Sequence, residues 1–229
     1  MNSTRAARPI PLALTMLVAF FAALTALAVS NGHDAHAHGN ASQHTETPVA
    51  LSQAALRSDL RVLWEDHIVW TRLAIISLTT GSPDTQATIA RLLKNQADIG
   101  NAVKPFYGKA AGNTLAAELR KHILIAADVV AAAKAGDQAK VADAHARWRQ
   151  NADDVARVLN SVNPRFWKLS AMKAEMYKHL ALTTQEAVAR LQSNWSADVA
   201  AYDRIHHHIL HMSDLLADGL VKQFPKRFR

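Results

Sequence analysis

"LRSDLRVLWEDHIVWTRLAIISL" (Leu56 to Leu78) is the stretch that decides the fold. Apolar residues return at Leu56, Leu60, Leu63, Ile68, Ile75 and Leu78, and His67 takes an apolar position among them. Steps of three and four place side chains on one face of an α-helix, whereas a half-buried strand would alternate every second residue. The same period runs through the rest of the chain, supported by abundant alanine. Turn-forming residues gather mainly at Gly81-Ser82-Pro83, Pro105 to Gly112, Gly136-Asp137 and Asn163-Pro164. Read with those stops, the spacing predicts helices over 51–80, 84–104, 111–135, 138–161, 165–192 and 195–222. No alternating strand pattern occurs. The expected fold is therefore all-α, an antiparallel bundle of about six helices arranged as three helical hairpins.

Outside that domain the chain changes character. Arg5 and Arg8 precede an almost unbroken apolar run from Ile10 to Val29, with Ala26-Leu27-Ala28 resembling a cleavage site. Residues 1–28 thus read as a secretory signal, or alternatively as a membrane anchor through residues 10–29. Either reading puts the remainder outside the cytoplasm, in the periplasm or anchored facing it. Residues 29–50 form a polar, flexible linker carrying His33, His36, His38 and His44. The bundle domain spans 51–225, and 226–229 is a basic tail expected to be solvated.

Composition excludes several chemistries. The 229 residues contain no cysteine, which removes disulfides, thiolate metal sites, covalent haem attachment and cysteine nucleophiles. The net charge of +7 is partly due to the two ends, and there is no basic stripe interleaved with aromatics, so nucleic acid is not expected as a partner. Glycine-rich phosphate loops, nucleophile elbows and zincin helices are likewise missing from the sequence.

The histidines carry the functional expectation. His67, His122 and His179 are 55 and 57 residues apart, and each is followed by Ile or Leu. "NQADIG" (Asn95 to Gly100) and "NADDVA" (Asn151 to Ala156) repeat at 56, so a faint three-hairpin repeat is expected. Helical phasing turns all three histidines inward. On the last helix, His206 and His208 flank the apolar stripe, and His208 supplies a fourth inward candidate. An unpaired polar group in a core costs roughly 1–3 kcal/mol. Several imidazoles in one core therefore point to a metal, since neutral imidazole is the commonest side-chain ligand and suits copper or zinc.

The candidate ligand set is His67, His122, His179, His208 and His206, with Glu118 and Glu175, each four residues before a histidine, as ligands or as acceptors for the rings' other N–H. Asp66, beside His67, is a further acceptor of that kind. Asp128 and Asp214 are expected to cap the network or to pair with Arg72. A di-iron centre would need Glu-x-x-His, and the spacing here is Glu-x-x-x-His. "NQADIGNAVKPFYG" (Asn95 to Gly108) has two readings: a hydrogen-bond network supporting the following turn, or a polar lip over the histidines. The five tryptophans read as core or helix contacts.

The words "LWEDHIVWTR" (Leu63 to Arg72), "NQADIGNAVKPFYG", "HILIAADV" (His122 to Val129) and "ADGLVKQFP" (Ala217 to Pro225) resemble a poorly characterised family of small bacterial helical proteins. The resemblance covers most of residues 56–225. It implies an all-helical fold, and the label of glycosyltransferase often attached to such proteins implies sugar transfer. The residues themselves favour an exported metal-binding bundle fed by the histidine-rich linker. A structural or interaction module with hydrogen-bonded core histidines is the alternative, and an enzyme the third.

Overall fold

The computed structural model describes residues 51–228. The expected signal and histidine-rich linker lie outside the described residues. Five helices follow one another: α1 (Gln53–Thr80), α2 (Thr85–Lys134), α3 (Gln138–Val162), α4 (Leu169–Leu191) and α5 (Trp195–Gln223), closed by a single 3-10 turn at Pro225–Arg227. The described residues contain no strand, only an isolated bridge between Leu51 and Phe228. The fold is all-α, as the periodicity required.

The count differs from six because α2 runs through Pro105 and Gly112 and breaks at one residue. Gly108 has φ 82° and ψ 169°, a conformation essentially closed to residues with a Cβ. Residues 100 and 112 would be about 18 Å apart along a straight helix. Instead, a Cβ added to Gly100 would lie 2.6 Å from the Gly112 carbonyl oxygen, and one on Gly112 would lie 2.5 Å from the Gly100 carbonyl oxygen. The chain doubles back at Gly108, and the two glycines let the arms of α2 touch backbone to backbone. Pro105 stays within helical backbone, and the break falls three residues later, at Gly108. Six arms and three hairpins therefore exist: α1 with 85–107, 109–134 with α3, and α4 with α5.

Local chemistry sets the ends of the helices. Side-chain oxygens of Ser52, Asp137 and Asn194 accept from the backbone N–H of Ala55, Lys140 and Ala197 at the starts of α1, α3 and α5. Gly81 closes α1 in the left-handed region and returns its N–H to the Ser77 carbonyl. Inside, Leu60, Trp64, Ile68, Leu119, Trp148, Val155, Met176, Ile205 and Ile209 belong to one continuous buried cluster.

Charged groups are tied in at the end of the bundle where α1 finishes. Arg72 Nη1 donates to Glu186 at 2.7 Å and to Asp198 at 2.8 Å, and Arg190 also reaches Asp198. Burial opposes ionisation of both carboxyls, yet they move in opposite directions. Asp198 has two arginine donors and is held below its ordinary range, whereas Glu186 is pushed up to about 7. The expected pairing of Arg72 with Asp128 or Asp214 is therefore corrected. Asp128 meets Arg147, and Asp214 meets Arg61 on the outer surface. Neither aspartate reaches the histidines, because six residues is almost two helical turns. Two of the closing residues make contacts: Arg227 donates to the Pro105 carbonyl, and Phe228 is buried against Phe106.

Replacing Gly108 with Ala tests the doubling-back. No atom lies within 4 Å of the added Cβ, so any effect comes from the backbone alone. The variant should lose about 1–3 kcal/mol of stability, read as a lower urea midpoint. An unchanged midpoint would show that this conformation is not required.

Candidate functional site

Three hairpins with equal arms explain how distant residues meet. The partner of His67 across the first hairpin is Gln96, 29 residues on, with Gln96 Nε2 at 3.3 Å from His67 Nδ1. The partner of His122 across the second is Asn151, again 29 residues on, with Oδ1 at 3.0 Å from His122 Nδ1. The third hairpin places His208 29 residues after His179, their ring centroids 6.0 Å apart and the ring planes inclined by 30°. Each pair is centred on a turn: residues 81–82, 136–137 and 193–194. Each of those turns carries a left-handed residue, Gly81, Gly136 and Ser193. From turn to histidine is about 14 residues, roughly 22 Å of helix, so all three pairs stand at one height in the bundle.

The repeat extends to the backbone. Asn95 Nδ2 donates to the Leu63 carbonyl, Asn151 Nδ2 to the Glu118 carbonyl, and His208 Nε2 lies 3.2 Å from the Glu175 carbonyl. Those carbonyls are the ones four residues before His67, His122 and His179. Second-arm polar residues thus tie each hairpin together where its histidine turns inward.

His179 is the hub of the layer. Its ring centroid is 5.6 Å from His67, 5.8 Å from His122 and 6.0 Å from His208. All four residues are buried. Trp64 covers His67 edge-on at 5.6 Å, and Trp148 lies 5.3 Å from His122. Burial penalises the imidazolium form throughout. It pushes His67 down to about 3, with the positive charge of His122 adding to it and Gln96 opposing; His122 goes down to about 4 against its bond from Asn151. His179 is driven well below its ordinary value by burial and by its three neighbouring histidines, and burial also lowers His208 against the pull of Glu175. The four rings are therefore neutral near pH 7.

The second nitrogens are the open valences. With Nδ1 of His67 and His122 occupied by Gln96 and Asn151, no protein group among the described residues pairs with their Nε2. The Nδ1 atoms of His179 and His208 are buried without a partner, as is Glu175 Oε2, 3.6 Å from His208 Nδ1. Among the described residues, no three His, Asp or Glu side chains are already grouped so as to hold a metal ion.

The remaining expected residues divide. Glu118 supports the layer at one remove, its Oε2 accepting from Asn151 Nδ2 at 3.2 Å. Glu175 stands beside His208 and also faces His211 at 3.8 Å. Asp66, expected beside His67, instead pairs with Arg91. His206 points away from the layer to Glu65, because it follows Ile205 on the opposite flank from His208. Gln96 and Asn151 were not in the expected ligand set, though both lie in the repeated words. Reflecting each histidine across its hairpin turn would have found them. Of "NQADIGNAVKPFYG", Asn95 and Gln96 sit against the histidine layer, Asn95 on the Leu63 carbonyl and Gln96 on His67.

Two measurements follow. A histidine kept neutral by the fold has a folded value below the free value of 6.5. The unfolded chain takes up protons as pH falls through 6.5 while the folded chain does not. Stability is therefore complete above 6.5 and declines on acidification, by about 1.4 kcal/mol per histidine per pH unit, until about 4 for His122 and about 3 for His67. Glu186, raised to about 7, acts in the opposite direction between its ordinary value and 7, but it is one group against four histidines. The urea midpoint should drop steeply from pH 7.5 to 5, and His122→Gln should flatten that slope by about one proton; a flat profile would contradict the neutral layer. Asn151→Ala strands His122 Nδ1 and the Glu118 carbonyl, and calorimetry should show a loss of about 2–4 kcal/mol.

No family model, curated protein or solved structure matches this chain.

Proposed function

We propose that this chain is an exported metal-binding helical-bundle protein that takes up copper or zinc through His67, His122 and His179, with His208 as the fourth ligand. One observation carries the reading: four buried, neutral imidazoles meet at one height, and among the described residues the Nδ1 atoms of His179 and His208 are buried without a partner. Uncompensated, each such nitrogen costs roughly 1–3 kcal/mol. A metal ion removes that cost, and holding Nδ1 by a neighbouring amide fixes the ring and presents Nε2 as the donor. Asn151, whose Oδ1 faces His122 Nδ1, is placed for that orienting role and is backed by the Glu118 carboxylate, whereas Gln96 faces His67 Nδ1 with its amide nitrogen and holds that ring from the donor side. With no cysteine, the donor set suits a borderline cation. Uptake draws the rings of His67, His122 and His208 inward around His179, a change of side-chain rotamer within fixed helices. The segment 1–28 carries the export reading, and His33, His36, His38 and His44 serve as the collecting tether.

A second reading is favoured by a different observation, that no three of these groups stand at ligand spacing. On it, the layer is a structural device that locks three hairpins in register and leaves an interaction surface outside. The family resemblance adds sugar transfer as a third reading, which incubation with nucleotide sugars tests directly.

The deciding experiment uses the full chain with His33, His36, His38 and His44 replaced by Ala and no affinity tag. Zinc or copper should bind near one ion per chain and raise the thermal midpoint, since a ligand at 100 times its Kd stabilises by about 2.7 kcal/mol. His122→Ala should abolish the rise. Identical melting with and without metal would leave the structural reading standing.

A further inference from the structure

An apolar cavity of about 100 Å³ lies immediately beyond the histidine layer, toward the 81–82, 136–137 and 193–194 turns. Its inner rim is one helical turn past each histidine, at Thr71, Ala126 and Thr183. Ile75, Val130 and Ala187 form the next turn. The hydroxyls on this wall are already committed to their own helices: Thr71 donates to the His67 carbonyl, Thr183 to the His179 carbonyl and Thr184 to the Leu180 carbonyl. The wall therefore offers a guest almost no hydrogen bonds, and an apolar void of this kind stays free of water.

The cavity is not sealed. Val188 lines it and is 41 % exposed, so the wall reaches the surface between α3 and α4. On that surface lies a groove that shares His145 and Thr184 with the cavity and adds Arg149 and Tyr177. Among the described residues, no carboxylate lines the groove. The Arg149 guanidinium rests over the Tyr177 ring at 3.8 Å and has no acidic partner among the described residues. Nearby Asp153 is already engaged by Tyr177 and Lys173.

From this continuity we propose that the cavity and groove together bind a short amphiphile with an anionic head. Its apolar end fills the cavity beside Trp148, and its head lies in the groove against Arg149. By proportion with a 150 Å³ apolar cavity that takes benzene, about four carbon atoms fit inside. A six-carbon carboxylate spans cavity and mouth. This site is distinct from the histidine nitrogens and does not depend on metal binding.

Hexanoate and hexyltrimethylammonium, equal in chain length and opposite in charge, test it against the full chain by NMR. Hexanoate should shift the Trp148 indole and the Thr184 and Val188 methyl signals saturably, and should bind about three- to fivefold more tightly than the cation, the range of a half-exposed charge contact. Arg149→Gln, on the surface and harmless to packing, should abolish that preference. Ala187→Leu, filling the cavity, should abolish binding of both, with circular dichroism checking that the helices persist. Absence of saturable shifts, equal binding of the two heads, or hexanoate binding unchanged in folded Ala187→Leu would each overturn the proposal. Because the site needs no ion, its failure would leave the metal titration unaffected, and the reverse holds.

Discussion

Four imidazole rings packed in one layer of an apolar bundle must satisfy their nitrogens without water, and much of the structure answers to that demand. An imidazole left charged there would be far costlier than a neutral one, so burial strips the proton and leaves one donor and one acceptor per ring. Gln96 and Asn151 meet two of those needs, and the Glu175 carbonyl meets a third. Gln96 and Asn151 come from the second arm of the same hairpin as their histidine, and the Glu175 carbonyl from the first arm facing His208, which couples hairpin closure to core chemistry. A slip of either arm by one residue would rotate the partner by about 100° and bury both groups unpaired.

That coupling accounts for the regularity of the turns. Left-handed residues at Gly81, Gly136 and Ser193 reverse the chain equally far from His67, His122 and His179, so the polar pairs share one height. At the other end, reversal at Gly108 is tighter, made by one glycine and the close approach of Gly100 and Gly112. The apolar space beyond the layer is the counterpart of this arrangement. Threonine hydroxyls there bond back to the histidine carbonyls, and small side chains such as Ala126 and Ala187 leave room that the large core residues elsewhere fill. Farther along, Arg72 gathers Glu186 and Asp198 where α1, α4 and α5 meet.

Much of this was legible in residue spacing. The helical period, the three-hairpin grouping and the inward phase of His67, His122, His179 and His208 all follow from steps of three and four, because helix geometry is local. Spacing misled where a residue's effect depends on its neighbours. Pro105 looked like a stop, yet the helix absorbed it and Gly108 made the break. His206 looked equivalent to His208, but lies on the outer flank with Glu65. Asp128 and Asp214 looked like support for the histidines and instead pair with surface arginines.

The amino-acid sequence by itself determined the all-helical class, the arm lengths and which faces turn inward, since these depend on periodicity and on turn residues a few positions away. Only the tertiary structure decided which inward groups touch. His179 as hub, Gln96 and Asn151 as ring partners, and the opening of the apolar cavity beside Val188 arise from the rotation and spacing of whole helices against one another. Those quantities are set by the packing of dozens of side chains at once, and no short run of residues encodes them.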